Sequence, residues 1–180
     1  MRAALAVLAL VVAAAPAAAG EDPRVSVQET GKGIYLVSAR FTVAAPPAVA
    51  RAVLTDYAGI PRFLPDVRHS RVVERSEGRA LVEQEAVSKF MFFSKRVQLL
   101  LEVEEGADVI RFRDQCGRSF AVYEGSWTIL AQGRGVELVY ALTAQPTFEA
   151  PLFVIRKVLS ADAREMAERL RNEMVARAAR

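Results

Sequence analysis

The sequence predicts an α+β fold in which a curved antiparallel β-sheet wraps around one long C-terminal α-helix. Segments with the alternating period of a half-buried strand fill most of the chain between Arg68 and Gln145. The connections between these segments are short, which favours antiparallel neighbours over βαβ units. At Leu152 the period changes to that of an amphipathic helix, the only predicted element long enough to cover the apolar face of such a sheet.

The first nineteen residues are predicted to be a signal peptide. Arg2 provides a positive start, residues 3–12 form an apolar run, and three alanines at 17–19 give a small-residue cleavage pattern before Gly20. The run is shorter than the roughly 20 residues that span a bilayer, so an uncleaved membrane anchor is the weaker alternative. We therefore predict one domain over residues 20–180, in a protein that is periplasmic or secreted.

The remaining elements follow from local pattern and turn chemistry. Two short strands at 25–28 and 35–43 surround a Gly-Lys-Gly turn. Prolines then fit the start of a helix predicted over residues 48–57, and one further helical turn at 62–64 ends at a proline. Six more strands are predicted at residues 70–75, 80–90, 95–104, 109–114, 120–130 and 136–145.

The last predicted helix covers residues 152–174 and has one buried stripe, with arginine, lysine and glutamate on its other face. The predicted stripe consists of Leu152, Ile155, Leu159, Ala163, Met166, Leu170 and Met174.

Composition excludes several classes of function. The chain has 24 lysines and arginines against 21 acidic residues, a net charge of +3 that falls to +2 when Arg2 leaves with the signal peptide. Basic and acidic residues are interleaved, which is typical of a solvated surface and not of a nucleic-acid interface. Cys116 is the only cysteine and His69 the only histidine in the sequence. An internal disulfide is therefore excluded, as are most metal sites and most pairs of a nucleophile with a histidine. We expect no nucleic-acid partner, no metal and no cofactor.

Two motifs and the order of elements carry a family resemblance. The stretch at residues 56–67 reads DYAGIPRFLPDV, and a late strand contains GSW at 125–127 before the long closing helix. This arrangement resembles the START-like (SRPBCC) superfamily, and within it the polyketide cyclase and coenzyme Q-binding protein branch. The resemblance implies a helix-grip fold with two short helices after the first strand. It implies no single activity, because the superfamily includes lipid carriers, quinone binders, hormone receptors and a few cyclases.

Strand parity predicts which side chains face a cavity between the sheet and the C-terminal helix. Several alanines and Gly125 in the inward set leave space, while three aromatic side chains and Gln84 add polar atoms to an apolar wall. The predicted ligand-binding residues are Phe63, Leu64, Gln84, Leu99, Phe112, Tyr123, Trp127, Tyr140, Ile155 and Leu159. The alternative is that these side chains only pack a core, and a one-residue slip in register would exchange the two faces.

No catalytic residue is predicted. His69 and Ser70 are neighbours on a predicted strand, so their side chains should point to opposite faces and cannot act as a pair. His69 beside Asp66, near the cavity mouth, is the alternative acid–base pair, but a histidine and an aspartate in a loop are usually both solvated. An active-site base also needs a position that faces the substrate.

The sequence Phe-Met-Phe-Phe at residues 90–93 is predicted to lie at the tip of a hairpin, between cations. Aromatic rings beside cations suit a membrane interface, where rings lie at the level of the headgroups and cations meet anionic lipid. The predicted membrane contact consists of Lys89, Phe90, Phe92, Phe93, Lys95 and Arg96. The alternatives are a tip that folds over the cavity entrance or packs on a neighbouring surface.

These inferences together predict an exported binding or carrier protein. Its partner is an apolar small molecule, such as a lipid or an isoprenoid quinone, held between the sheet and the C-terminal helix, with transient membrane contact. A polyketide cyclase or aromatase-type enzyme, whose cavity shapes a reactive chain, is one alternative. A protein-interaction module with a filled core is the other.

Overall fold

A computed structural model describes residues 21–90 and 93–180, without the side chains of 89, 90 and 93. The predicted signal peptide therefore lies outside the described residues. The strands are β1 (Arg24–Gly31), β2 (Ile34–Val43), β3 (Val67–Ser76), β4 (Arg79–Phe90), β5 (Phe93–Glu105), β6 (Val109–Asp114), β7 (Phe120–Gln132) and β8 (Gly135–Pro146). The helices are α1 (Pro47–Leu54), α2 (Ile60–Phe63), which follows a 3₁₀ turn at Tyr57–Gly59, and α3 (Leu152–Ala178).

The eight strands form one antiparallel sheet in the order β1-β2-β8-β7-β6-β5-β4-β3. The β1–β2 hairpin comes first, and the chain then passes through α1 and α2 to the far edge of the sheet at β3. It returns strand by strand, by short connections, until β8 pairs with β2. The predicted sheet, the long C-terminal helix and the short helices before β3 are confirmed.

The strands alternate between buried and exposed side chains as the sequence predicts. On β2, the odd-numbered residues from Tyr35 to Val43 are buried and the even-numbered residues from Leu36 to Thr42 are exposed. On β8, Val136, Leu138, Tyr140, Leu142 and Ala144 are all buried. One face of the sheet therefore forms the core and the other meets solvent.

Helix α3 lies on the buried face of the sheet and packs closely against β2, β1 and α1, with fewer contacts to β4. Its buried residues are Ile155, Ala163, Ala167, Leu170 and Met174. Leu152, predicted to begin the buried stripe, is exposed, because the start of α3 lies over a shallow cleft beside Tyr35 and not over the core. None of the helices in the described part of the chain is long and apolar enough to cross a membrane.

An ion-pair network fixes the C-terminal end of α3 to the segment between α1 and α2. Arg177 donates to Asp56 (2.7 Å) and to Glu173 (2.6 Å), and its guanidinium lies 5.7 Å from the ring centroid of Phe63. Arg62 donates to the same Asp56 carboxylate at 2.9 Å. Burial acts to raise the pKa of Asp56, but the hydrogen bonds and charges of the two arginines outweigh it and lower the pKa.

Candidate ligand-binding cavity

A cavity of about 320 Å³ lies between α3 and the inner face of the sheet. Its size falls within the range of natural small-molecule sites, and its lining is mostly aliphatic and aromatic. All ten residues predicted to bind ligand line it, namely Phe63, Leu64, Gln84, Leu99, Phe112, Tyr123, Trp127, Tyr140, Ile155 and Leu159. That a ligand contacts them stays a prediction.

The space remains open because α3 lies towards the β1–β2 side of the sheet. Where the helix passes β4 and β5, several of the facing side chains are short. Ala163 on α3 lines the cavity, as do Ala86 and Val97, which are partners across the β4–β5 ladder. Such short side chains cannot fill the distance between a helix and a strongly curved sheet, so a void persists where a core would normally be close-packed.

One side of the cavity is an aromatic wall, formed by Phe112 on β6, Phe120, Tyr123 and Trp127 on β7, and Tyr140 on β8. The ring centroids of Trp127 and Tyr140 are 4.6 Å apart, and those of Phe120 and Tyr123 are 4.8 Å apart. Phe112 stacks on Tyr140 at 6.2 Å with an interplanar angle of 16°. These separations are typical of favourable aromatic pairs, so each ring holds its neighbour in position.

Gly125 contributes to this wall by making room for a ring. A Cβ atom at this position would lie 2.7 Å from Cζ of Phe112 and closer still to the carbonyl oxygen of Ala141. Phe112 is the cross-strand partner of Gly125, and its ring occupies the space that a side chain would need. The prediction that Gly125 leaves space for ligand is therefore wrong in detail, because Phe112 takes that space.

Phe120 is a cavity residue that strand alternation did not predict. A register shift in the β7–β8 ladder lies between Phe120 and Val122, and it places Phe120 and Tyr123 on the same face although they are three residues apart. Simple alternation puts them on opposite faces, and no local signal marks the bulge. Other lining residues that were not predicted include Tyr57, Phe148, Val154 and Met166.

Few polar groups lie inside the cavity. Burial raises the pKa of both Tyr123 and Tyr140, and the hydroxyl group of each also affects the pKa of the other. Gln84 donates from Nε2 to the buried Ser70 Oγ at 3.2 Å, so its amide is held on the β3–β4 side. Tyr57 also lines the cavity, and its hydroxyl donates to Glu105 at 2.9 Å.

The rim of the cavity is charged, in contrast to its interior. Its charged residues are Asp66, Lys95, Asp162, Glu165 and Arg169. Ser88 on β4 donates from Oγ to Oδ2 of Asp162 on α3 at 2.7 Å. Burial of the carboxyl group raises the pKa of Asp162 to about 6, and the charges of Asp66 and Glu165 add to the effect although Ser88 opposes it. As a whole residue Asp162 remains exposed, so solvent moderates this shift.

Only part of the predicted membrane contact is described. Lys95 places its Nζ 5.1 Å from the ring centroid of Phe148, so the base of the β4–β5 hairpin lies beside the segment that precedes α3. Arg96 is exposed and pairs with Glu85 at 3.6 Å. The side chains of Lys89, Phe90, Phe92 and Phe93 lie outside the described residues, and their membrane contact stays a prediction.

The predicted separation of His69 and Ser70 is observed. Ser70 is buried against Gln84, whereas His69 is exposed on the outer side of β3. In residues 21–90 and 93–180, no group of three or more His, Cys, Asp or Glu side chains lies close enough to hold a metal ion.

An antiparallel sheet that grips one long helix around an apolar cavity defines the START-like class of hydrophobic ligand-binding folds. Residues 43–171 match the model of the family described as polyketide cyclase / dehydrase and lipid transport. Because this match covers more than half of the chain, the protein belongs to that family. No curated protein matches the chain in sequence.

Solved structures agree with this assignment. TTHA0849 from Thermus thermophilus is 26% identical, with a TM-score of 0.68 over 79% of this chain and 98% of the other. The Zhui aromatase/cyclase from Streptomyces sp. R1128 is 17% identical, with a TM-score of 0.67 over 82% and 94% of the two chains. Human STARD10 is 12% identical, with a TM-score of 0.66 over 84% and 73%. The resemblance to START-like proteins is therefore confirmed at the level of fold.

Proposed function

We propose that this protein binds and carries an apolar molecule, such as a lipid or an isoprenoid quinone. The observation that supports this most strongly is the cavity of about 320 Å³, whose interior is apolar and whose rim is charged. Each square ångström of apolar ligand surface removed from water in such a site contributes about 25 cal/mol. The charged rim keeps the entrance hydrated, so binding of an apolar molecule is more favourable inside the cavity than at its entrance.

The chemistry of the interior favours carriage over catalysis. Tyr123 and Tyr140 have raised pKa values, so both hydroxyls stay protonated near neutral pH and neither acts as a general base. Gln84 is already hydrogen-bonded to Ser70. Asp162 has a pKa suited to proton transfer, but it lies at the rim, where it accepts a hydrogen bond from Ser88.

We further propose that the protein acts outside the cytoplasm and touches a membrane transiently when it loads or releases its ligand. Export is supported by Arg2, the apolar run at residues 3–12 and the alanines at 17–19. N-terminal sequencing of the mature protein is expected to begin at or near Gly20. An intact Met1 in mature protein that stays in the cytosol would contradict export.

The ligand-carrying proposal is tested by native mass spectrometry and organic extraction of protein purified from its own host. We expect a lipid or quinone to be bound in a one-to-one complex and to be released unaltered after incubation. Conversion of the bound molecule to a new mass would instead favour a cyclase-type enzyme. Failure to bind any extracted lipid, fluorescent fatty acid or quinone analogue would contradict the proposal.

A matched pair of variants links binding to the cavity. Ala86→Leu adds bulk to the cavity side of β4, whereas Glu83→Leu adds apolar bulk to an exposed position on the same strand. We expect Ala86→Leu to reduce the amount of bound ligand several-fold and Glu83→Leu to leave it unchanged. Equal binding by the two variants would place the ligand elsewhere.

A further inference from the structure

The start of α3 exposes apolar side chains that the core does not use. Among the side chains that the structure describes, Phe153 and Leu152 are the most exposed large apolar ones, at 64% and 54%. They are neighbours in the sequence, and Pro151 before them is also exposed. Single apolar residues on a surface are ordinary, but adjacent ones beside a concave surface are typical of an interaction site.

The concave surface beside them is a shallow cleft with a mostly apolar lining. Tyr35 on β2 lines it, together with Pro146, Phe148, Leu152 and Ile155 from the end of β8, the connection to α3 and α3 itself. Tyr35 is fully buried, and its hydroxyl has no hydrogen-bond partner in the described part of the chain. Because a buried donor without an acceptor is costly, an occupant that brings an acceptor into the cleft is favoured.

The cleft and the ligand cavity share one wall. Pro146, Phe148, Ala150 and Ile155 line both of them, so these side chains separate the cleft from the cavity. An occupant of the cleft therefore supports the cavity wall from its outer side.

Charges of both signs surround the cleft. Glu149 lines it, and Arg156 and Lys157 follow Ile155 on α3. Burial raises the pKa of Tyr35, the charge of Glu29 adds to the effect and that of Arg156 opposes it, so these two charges also lie near the cleft. Glu29, Glu149, Arg156 and Lys157 are all exposed, and none of them makes an ion pair with another residue of the described ranges.

This surface is complementary to itself. Two-fold association uses the same patch on both partners, so the protruding Phe153 of each copy faces the cleft of the other, and cations face carboxylates. An anionic membrane fits less well, because it attracts Arg156 and Lys157 but repels Glu29 and Glu149.

We infer that a second copy of this chain docks on the start of α3, with Leu152 and Phe153 of each copy at the cleft of the other and Glu149 of each copy close to Arg156 and Lys157 of the other. The two copies then cover the outer sides of each other's cavity walls. This self-association goes beyond the proposed function and does not depend on it.

Analytical ultracentrifugation of the protein purified from its own host tests the inference. We expect the average mass to rise from monomer to dimer with concentration, with a dissociation constant on the order of 10 μM because the patch is small. Leu152→Ser/Phe153→Ser should raise this constant about tenfold or more. The control is Leu36→Ser/Leu130→Ser, which removes two leucines that are 40% and 41% exposed on the outer face of the sheet and should leave the constant unchanged.

The charges provide a second test. Glu149→Lys puts cations on both sides of the contact, so we expect it to raise the dissociation constant about fivefold. Adding Arg156→Glu and Lys157→Glu exchanges the two signs, and we expect this triple variant to dimerise again. Thermal melting checks that each variant is folded, and Phe153→Ser alone replaces the apolar double variant if that one is not.

Three results would overturn the inference. The first is a wild type that stays monomeric up to about 500 μM. The second is a dimer that forms equally well in the folded Leu152→Ser/Phe153→Ser variant, because the contact then lies elsewhere. The third is a monomeric wild type that loses vesicle binding in this variant, because a membrane and not a second copy then covers the patch. None of these results decides whether the cavity binds a ligand, so the proposed function stands or fails separately.

Discussion

Ser88 on β4 and Asp162 on α3 are joined by a 2.7 Å hydrogen bond at the rim of the cavity. The bond matters because α3 otherwise packs mainly on β1, β2 and α1, at the other side of the sheet. It therefore joins α3 to β4, on the side of the sheet where the helix packs less closely, at the charged rim of the cavity.

We expect the stability of the protein to depend on the protonation of Asp162. Its pKa of about 6 lies above the ordinary value of 3.8, so the folded state binds a proton more tightly than the unfolded state does. Ionisation of Asp162 therefore destabilises the fold above about pH 6, and the effect disappears as the pH falls below the unfolded value. Solvent screening at this exposed residue limits the effect to less than about 1 kcal/mol.

Urea unfolding of the wild type and Asp162→Asn at pH 7.5, 6 and 4.5 measures this dependence. Asparagine keeps an acceptor for Ser88 but has no charge, so we expect the variant to be the more stable protein at pH 7.5 and the difference to shrink as the pH falls. The neighbouring Asp66 and Glu165 are present in both proteins, so comparing the two proteins reduces the contribution of these residues. A difference that does not change with pH would show that Asp162 ionises as an ordinary surface carboxyl.

Arg177→Ala is expected to lower the free energy of unfolding by about 1–2 kcal/mol, because charge-assisted hydrogen bonds to partly shielded carboxylates are lost. The Arg177 and Asp56 side chains are only 22% and 24% exposed, and Phe63 covers the guanidinium. The control is Arg79→Ala, whose ion pair with Glu104 joins side chains that are 62% and 51% exposed. We expect that variant to lose less than about 0.5 kcal/mol in the same urea titration, and equal losses would contradict the role of the network.

Most of the cavity wall could be predicted from the sequence because strand parity is a local property. Alternate residues are buried on β2 from Tyr35 to Val43 and on β8 from Val136 to Ala144, and β6 begins and ends at the predicted residues. Once turn residues bound a strand, the identity of its apolar face follows from alternation alone.

The features that could not be predicted depend on a partner strand or on the position of the helix. Phe120 faces the cavity because of a bulge in the β7–β8 ladder, which two strands create together. The space beside Gly125 is filled by a ring from β6, a contact between residues that only the sheet brings together. Leu152 fits the helical stripe but is exposed. The sequence could not show this, because the spacing of apolar residues does not indicate where the covered part of the helix begins.

Removing the indole of Trp127 should damage both the fold and the binding site. Trp127 is 9% exposed and lies against Tyr140, so Trp127→Ala is expected to cost about 3–5 kcal/mol of stability and to weaken binding of a fluorescent fatty acid or quinone analogue. Leu130 is the control, because it lies on the same strand but is 41% exposed. We expect Leu130→Ala to cost less than about 1 kcal/mol and to leave binding unchanged. Unaltered melting and binding of Trp127→Ala would mean that this wall does not meet ligand.

Two apolar stretches of the chain are candidates for membrane contact. The first is the Phe-Met-Phe-Phe sequence at residues 90–93, which is predicted to be a hairpin tip and is followed by Lys95 and Arg96. The second is the start of α3, where Leu152 and Phe153 are 54% and 64% exposed. The start of α3 also has exposed cations, Arg156 and Lys157, but only one phenylalanine. We favour the tip because its sequence combines three phenylalanines with cations. Each cation contributes about 1 kcal/mol near an anionic surface, and burying two or three rings contributes several kcal/mol more at about 25 cal/mol per Å².

Co-sedimentation with anionic and neutral vesicles, at low and moderate salt, distinguishes these surfaces. We expect the wild type to bind anionic vesicles and added salt to weaken binding, because salt screens the cations. Phe92→Ser/Phe93→Ser should abolish binding through loss of the rings, whereas Leu152→Ser/Phe153→Ser removes the same kind of surface from α3 and should leave binding intact. The opposite result would move the contact to the start of α3. If the wild type binds no vesicle but still binds an apolar ligand, ligand exchange occurs in solution. An aromatic tip that inserted into lipid would sediment with the vesicles.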